Sequence, residues 1–185
     1  MNKLVSGALI AAAVSTTGCG SIDQEAREAN PDPCPNIIVL EDAARMVEFD
    51  GEQQLDDVAY TGEIMDVTTR CRYFGDNPID AEVDIRFAFG KGPKGAAEEK
   101  QFKYFIAVTK RDSEVIAKKE FVIPVDFDGD RIVVVKKEEI DRIVIPRAGE
   151  ETSGLNFEIV VGLSLTPSQT IYNRSGKSLK FPHLQ

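Results

Sequence analysis

The chain has 185 residues, 31 acidic against 22 basic, giving a formal net charge of −9 and a pI near 4.7. That balance argues against a basic surface for nucleic acid, where affinity rests on neutralising phosphates. The single histidine, His183, sits in the tail, which argues against a histidine-based catalytic triad, and one histidine cannot form a multi-histidine metal centre.

Residues 1–18 read as a secretory signal peptide. Lys3 supplies the positive start, Leu4 to Val14 is uncharged and mostly apolar, and small residues follow up to Cys19. The apolar run is shorter than the roughly 20 residues of a spanning helix. Its ending, Thr16-Thr17-Gly18-Cys19, resembles the lipobox of bacterial lipoproteins, and departs from it at Thr16, where that family most often has leucine. The resemblance implies cleavage before Cys19 and acylation of that cysteine with palmitate-type chains. Several chains on one residue satisfy the requirement for stable membrane anchoring. Gly20 and Ser21 follow the cysteine, with no Asp at the next position, which resembles the sorting pattern of outer-membrane lipoproteins. The implied location is the cell envelope, on the periplasmic side of the outer membrane. The whole chain is similar to small lipoproteins of Gram-negative bacteria. With Cys19 assigned to the anchor, Cys34 and Cys71 remain as a pair in an oxidising compartment, and a disulfide between them is expected.

Residues 19–33 are polar and acidic, end in Pro31 and Pro33, and lack the apolar content of a core; they read as a tether. Residues 34–174 read as one β domain. Asn36 to Leu40 is a short strand, and Glu41 to Phe49 a second extended piece closed by Asp50-Gly51. Val67, Thr69, Cys71 and Tyr73 share a face at period two. Ala81, Val83, Ile85, Phe87 and Phe89 alternate with Glu82, Asp84, Arg86 and Ala88. Phe102, Tyr104, Ile106 and Val108 alternate again. Val115 to Val125 is another strand, with Pro124 expected at a sheet edge because proline cannot donate a ladder hydrogen bond. Arg131 to Val135 and Ile140 to Pro146 read as two short strands, parted by the charged run Lys136-Lys137-Glu138-Glu139. Leu155 to Leu165 is the last strand. Thr166-Pro167 is an N-cap followed by proline at the first helical position, opening a helix to about Tyr172. Residues 175–185 read as a tail.

Seven to nine strands with regular turns and one short helix predict an all-β sandwich of immunoglobulin-like or fibronectin-like architecture, with a small barrel as the second choice. Phe87, Phe102, Ile123, Phe157 and Val161 are expected in its core. Gly90-Lys91-Gly92-Pro93 lacks the Gly-Lys-Ser/Thr ending of a phosphate loop and reads as a flexible hairpin. Its residues Gly90, Lys91, Gly92 and Lys94 form the candidate partner-contact loop, since binding residues gather on loops. Lys91, Lys94, Lys100 and Lys103, with Lys110, Arg111, Lys118 and Lys119 around the next connection, make either a positive face or strand edges blunted by lysine. Asp126, Asp128 and Asp130 alternate around Gly129. They offer carboxylates of the kind calcium takes, without the EF-hand spacing, or else cap the amides of a hairpin turn.

No serine stands in a nucleophile elbow, no carboxylate pair stands apart from the general acidity, and no cofactor motif is present. The expectation is a non-enzymatic, lipid-anchored envelope protein with a structural or protein-interaction role and another envelope protein as partner. The alternative is a periplasmic module binding glycan or peptide. An apolar or edge-strand patch favours the first, and a concave polar pocket the second. Cys19→Ser is expected to abolish incorporation of labelled palmitate and leave the longer precursor, both readable on one gel.

Overall fold

The computed structural model of the chain describes residues 33–111 and 114–181. Cys19, the signal segment, the tether up to residue 32 and His183 lie outside the described residues.

Eight strands form two four-stranded sheets. Sheet I has the order β1 (Asn36–Val39), β8 (Phe157–Leu163), β5 (Glu99–Lys110), β6 (Val115–Asp126). Sheet II has the order β2 (Arg45–Phe49), β3 (Val58–Arg72), β4 (Ile79–Lys91), β7 (Val133–Ile145). Pairing is antiparallel except between β1 and β8. This is the all-β sandwich that the alternation predicts. Its likeness to immunoglobulin and fibronectin domains is architectural. A constant-type immunoglobulin sheet joins its first, second, fifth and fourth strands, whereas sheet II runs β2-β3-β4-β7.

The two sheets meet through alternate side chains. Ile79, Val83, Ile85, Phe87 and Phe89 of β4 face Phe102, Tyr104 and Ile106 of β5 and Phe157, Ile159 and Val161 of β8 in one core cluster. Phe89 stacks on Phe102 with centroids 4.2 Å apart, and Phe87 meets Tyr104 at 5.0 Å. Such pairs add about 0.5–1.5 kcal/mol each to simple area burial. Ile123 is 1% exposed, so all five expected core residues are buried.

The N-terminal edge is fastened to β3. Cys34 and Cys71 are disulfide-bonded with their Cα atoms 5.6 Å apart. Beside them the Tyr73 hydroxyl donates to the Pro33 carbonyl (2.7 Å) and accepts from the Gly154 amide (3.0 Å).

Helix α1 (Pro167–Arg174) starts as its sequence dictates. Thr166 Oγ1 accepts from the Gln169 amide (3.3 Å), and Gln169 Oε1 accepts from the Thr166 amide (2.8 Å), completing a capping box. Tyr172 packs beside Val47, Val58 and Leu179. Beyond the helix, the Phe181 amide donates to Glu63 Oε2 (2.7 Å) and Arg45 Nη1 to Ser178 Oγ (3.3 Å), so residues 175–181 lie against sheet II.

Three local readings are corrected. Glu41–Ala43 is a 3₁₀ turn, and only Arg45–Phe49 is extended. Strand β3, expected from the face Val67, Thr69, Cys71 and Tyr73, starts at Val58 and carries a β-bulge: Ile64 pairs with Phe87 and Val67 with Ile85, so one extra residue restores the inward face. The two short strands expected around Lys136–Glu139 are one strand, β7. Lys136 and Glu138 stand opposite Phe87 and Ile85 in the register, on the inward face. They are tolerated there because β7 is an edge strand, where inward charges also guard against pairing with other chains.

Phe157→Ala is expected to cost about 3–5 kcal/mol in denaturant unfolding. Replacing Cys34 and Cys71 by serine together opens a cross-link of sequence separation 37 and is expected to cost about 3–4 kcal/mol.

Candidate functional site

The two outer faces of the sandwich differ in their density of charge, while exposed apolar side chains occur on both, Val135 and Val144 of β7 lying on sheet II. Sheet II presents a lattice of ion pairs set up by its register, in which Arg70 faces Glu82 and Arg72 faces Asp80. Arg70 reaches Glu82 (3.3 Å) and Asp84 (3.4 Å), Lys137 reaches Asp84 (3.6 Å), and Arg142 reaches Asp80 (3.1 Å). The Arg72 guanidinium, hydrogen-bonded to Glu82, holds that carboxyl below its ordinary range. Such exposed pairs serve hydration more than stability.

Sheet I presents hydrocarbon. Ile38, Val160 and Ala107 fall in one row across β1, β8 and β5. Phe105 faces Gly162 in the adjacent row. A Cβ at Gly162 would lie 2.7 Å from Phe105 Cζ, so the glycine makes room for the ring. Lys118 Nζ lies 4.2 Å from the centroid of the same ring. Ile38, Leu40 and Val122 are 38%, 44% and 48% exposed. Of the charges here, Lys103 meets Glu120 at 3.1 Å. The Ser164 hydroxyl, followed by Lys103, lowers the pKa of Glu120.

The two sides of the sandwich also differ. On one side α1 covers the free edge of β2. Asn173 Nδ2 donates to the carbonyls of Asp42 (2.8 Å) and Arg45 (2.7 Å), and Gln169 Nε2 to that of Val47 (3.1 Å). On the other side the edges of β6 and β7 have no such cover among the described residues. Between them lies a cleft of about 260 Å³, lined by Ile106, Val108, Phe121, Ile140 and Ile143, with Lys118, Lys119 and Arg142 around it. Phe121 stacks on Tyr104 at 5.0 Å, and Lys119 Nζ lies 4.9 Å from the Phe121 centroid. The Tyr104 hydroxyl donates to Glu138 Oε2 at 3.5 Å, the outer limit of a hydrogen bond.

The residues singled out from sequence are dispersed. Gly90, Lys91, Gly92 and Lys94 do not form a flexible hairpin. The segment crosses from sheet II to sheet I and is strapped down. The Gly92 amide donates to the Ala59 carbonyl (2.8 Å), the Lys94 amide to that of Val58 (3.0 Å), and the Ala97 amide to the Tyr60 hydroxyl (2.8 Å). A Cβ at Gly92 would stand 2.2 Å from the Val58 carbonyl oxygen, so the strap needs glycine there. Asp126–Asp130 likewise crosses between sheets, held by the buried Phe127. Asp128 pairs with Arg131 (3.4 Å), and among the described residues no three acidic, cysteine or histidine side chains gather as a metal site. The eight basic residues make no continuous positive face. Lys94, Lys100, Lys103 and Lys110 meet Asp57, Glu48, Glu120 and Glu114, while Lys118 and Lys119 lie over aromatic rings.

The apolar outer face of sheet I escaped the sequence reading, although a signal exists. In the stretch from Tyr104 to Val108 the outward positions Phe105 and Ala107 are apolar too. A continuous apolar run marks a strand covered on both faces. No protein-family model, curated protein or solved structure matches the chain.

The Tyr104 phenol is pushed well above its ordinary value of 10.0, by burial first and then by the Glu138 carboxylate. A raised pKa in the fold means its contribution to stability is complete below the unfolded value and lost as pH rises past it. Tyr104→Phe is expected to lose less stability than the parent between about pH 9 and 11, followed by urea midpoints at each pH.

Proposed function

We propose that the chain is a lipid-anchored protein of the cell envelope, held through Cys19 on the periplasmic side of the outer membrane, whose sandwich docks on another envelope protein through the outer face of sheet I. The contrast between the two faces carries this reading. A sheet that presents Ile38, Leu40 and Val122 to water beside the half-buried Phe105 and Val160 is a poor surface for a solitary domain and a good one for an interface. The paired charges of sheet II suit a face that stays in solvent. The role is structural, and no residue is assigned to catalysis.

The test is photo-crosslinking in cells, with the reactive residue at Val122 or Ile38 of the membrane-anchored protein. One reproducible envelope protein is expected from these positions and none from Thr68 on sheet II. Ile38→Glu combined with Val122→Glu is expected to remove the product and leave the thermal midpoint within a few degrees. Equal products from both faces, or a product lost only when residues 90–100 are replaced, would reject the assignment to sheet I.

A further inference from the structure

We infer that the cleft between β6 and β7 binds the carboxylate and terminal chain of one fatty acid, the head on Lys119 and the chain against Phe121, Ile140 and Ile143. This site faces the interior side of sheet I and is independent of the docking face proposed above.

The inference begins with an interruption in a pattern. Val125, Ile123 and Phe121 occupy the inward positions of β6, the first two fully buried. The next inward position along the strand is Lys119, paired in register with the inward Ile106. Its side chain is exposed at the rim of the cleft, so an ammonium group continues the inward row where that row reaches solvent. Among the described residues Lys119 has no carboxylate within ion-pair distance, although acidic residues outnumber basic ones in the chain. It rests against the Phe121 ring instead. An anion at this point would complete the arrangement.

The floor selects what is attached to that anion. Ile106, Val108, Ile140 and Ile143 present only hydrocarbon, so the remainder of the ligand is apolar. Packed sheets stand about 10 Å apart, which leaves a wedge for one chain rather than two. A volume of about 260 Å³ lies just under the roughly 300–1,000 Å³ of typical small-molecule pockets, and suits part of a flexible chain. Other charged groups near the cleft fix the polarity. Glu138, beside Tyr104, repels a carboxylate from that end, and the Arg142 Nε is held by Asp80 (3.1 Å). Lys118, which also lines the cleft, adds positive charge at the Lys119 end.

An added β-strand is a poorer occupant. Pro124 interrupts the donor row of β6, β7 is bulged between Ile140 and Ile143, and both edges carry inward charges. These features blunt pairing through the backbone and leave the side-chain wedge open.

The experiment uses the full chain carrying Cys19→Ser, so that no covalent acyl group competes. The probe is cis-parinaric acid, followed by fluorescence and displaced by palmitate or by uncharged hexadecanol. One saturable site per chain is expected, with palmitate the better competitor by about tenfold or more. Lys119→Glu is expected to weaken binding by a similar factor. Ala117→Trp, at an exposed position of the cleft lining, is expected to abolish the signal with the thermal midpoint unchanged. Absence of saturable binding, equal competition by hexadecanol, or full binding by both variants would overturn the inference.

Discussion

Every sheet ends in a row of backbone amides and carbonyls that lack strand partners, and the rest of this molecule is arranged around how those rows are finished. A barrel would close them on one another. A sandwich of two four-stranded sheets has four edges, and here each receives a different treatment. β1 is kept to four residues. β2 is covered by α1, whose Gln169 serves twice: its oxygen completes the capping box and its nitrogen satisfies the Val47 carbonyl. The helix therefore starts correctly and seals the edge through one side chain. β6 and β7 are long and are guarded by lysine, proline, a bulge and inward charges. Closing one side with a helix and leaving the other to side-chain guards keeps the apolar cleft between β6 and β7 open.

The second organising contact is at the entry to the domain. The Cys34–Cys71 bond ties the N-terminal strand to β3, the longest strand, which lies inside sheet II between β2 and β4. The Tyr73 hydroxyl joins Pro33 and Gly154 to the same point, and Arg147 lies over its ring. A pull applied through the segment before Cys34 is thus taken by an interior strand rather than by the short edge strand β1. If the chain is anchored through Cys19 as proposed, that placement spares the four-residue edge strand β1.

Legibility from sequence followed the pattern of burial. Strands β4, β5 and β8 could be read because their core-facing residues recur at period two. The helix could be read because Thr166, Pro167 and Gln169 form a local signal. β7 could not, since its charges follow from its position at an edge, a property of the assembled sheet. The Gly90 and Asp126 segments resemble hairpin turns in composition, yet both cross between sheets, and turn chemistry does not encode which sheet a strand joins. The cleft and the apolar face were illegible for a related reason. Ile38, Val160 and Ala107 become one surface only through the register of three strands distant in sequence. Phe105 and Ala107 left a trace, as apolar residues at outward positions.

Lys118 shows how such a face remains compatible with water. Its ammonium over the Phe105 ring contributes about 0.5–1 kcal/mol at an exposed site, and its stem shields hydrocarbon. Burying a phenylalanine side chain fully contributes about 1.5–3 kcal/mol. A partner that displaced Lys118 from the ring would therefore lose less than it gained, provided the freed ammonium reached water or a carboxylate. The cover is strong enough to hydrate the face of the solitary domain and too weak to hold it against a complementary surface. An interface built this way would favour a partner that supplies an acidic group beside an apolar patch, and would discriminate against one that brings a further cation to Lys118.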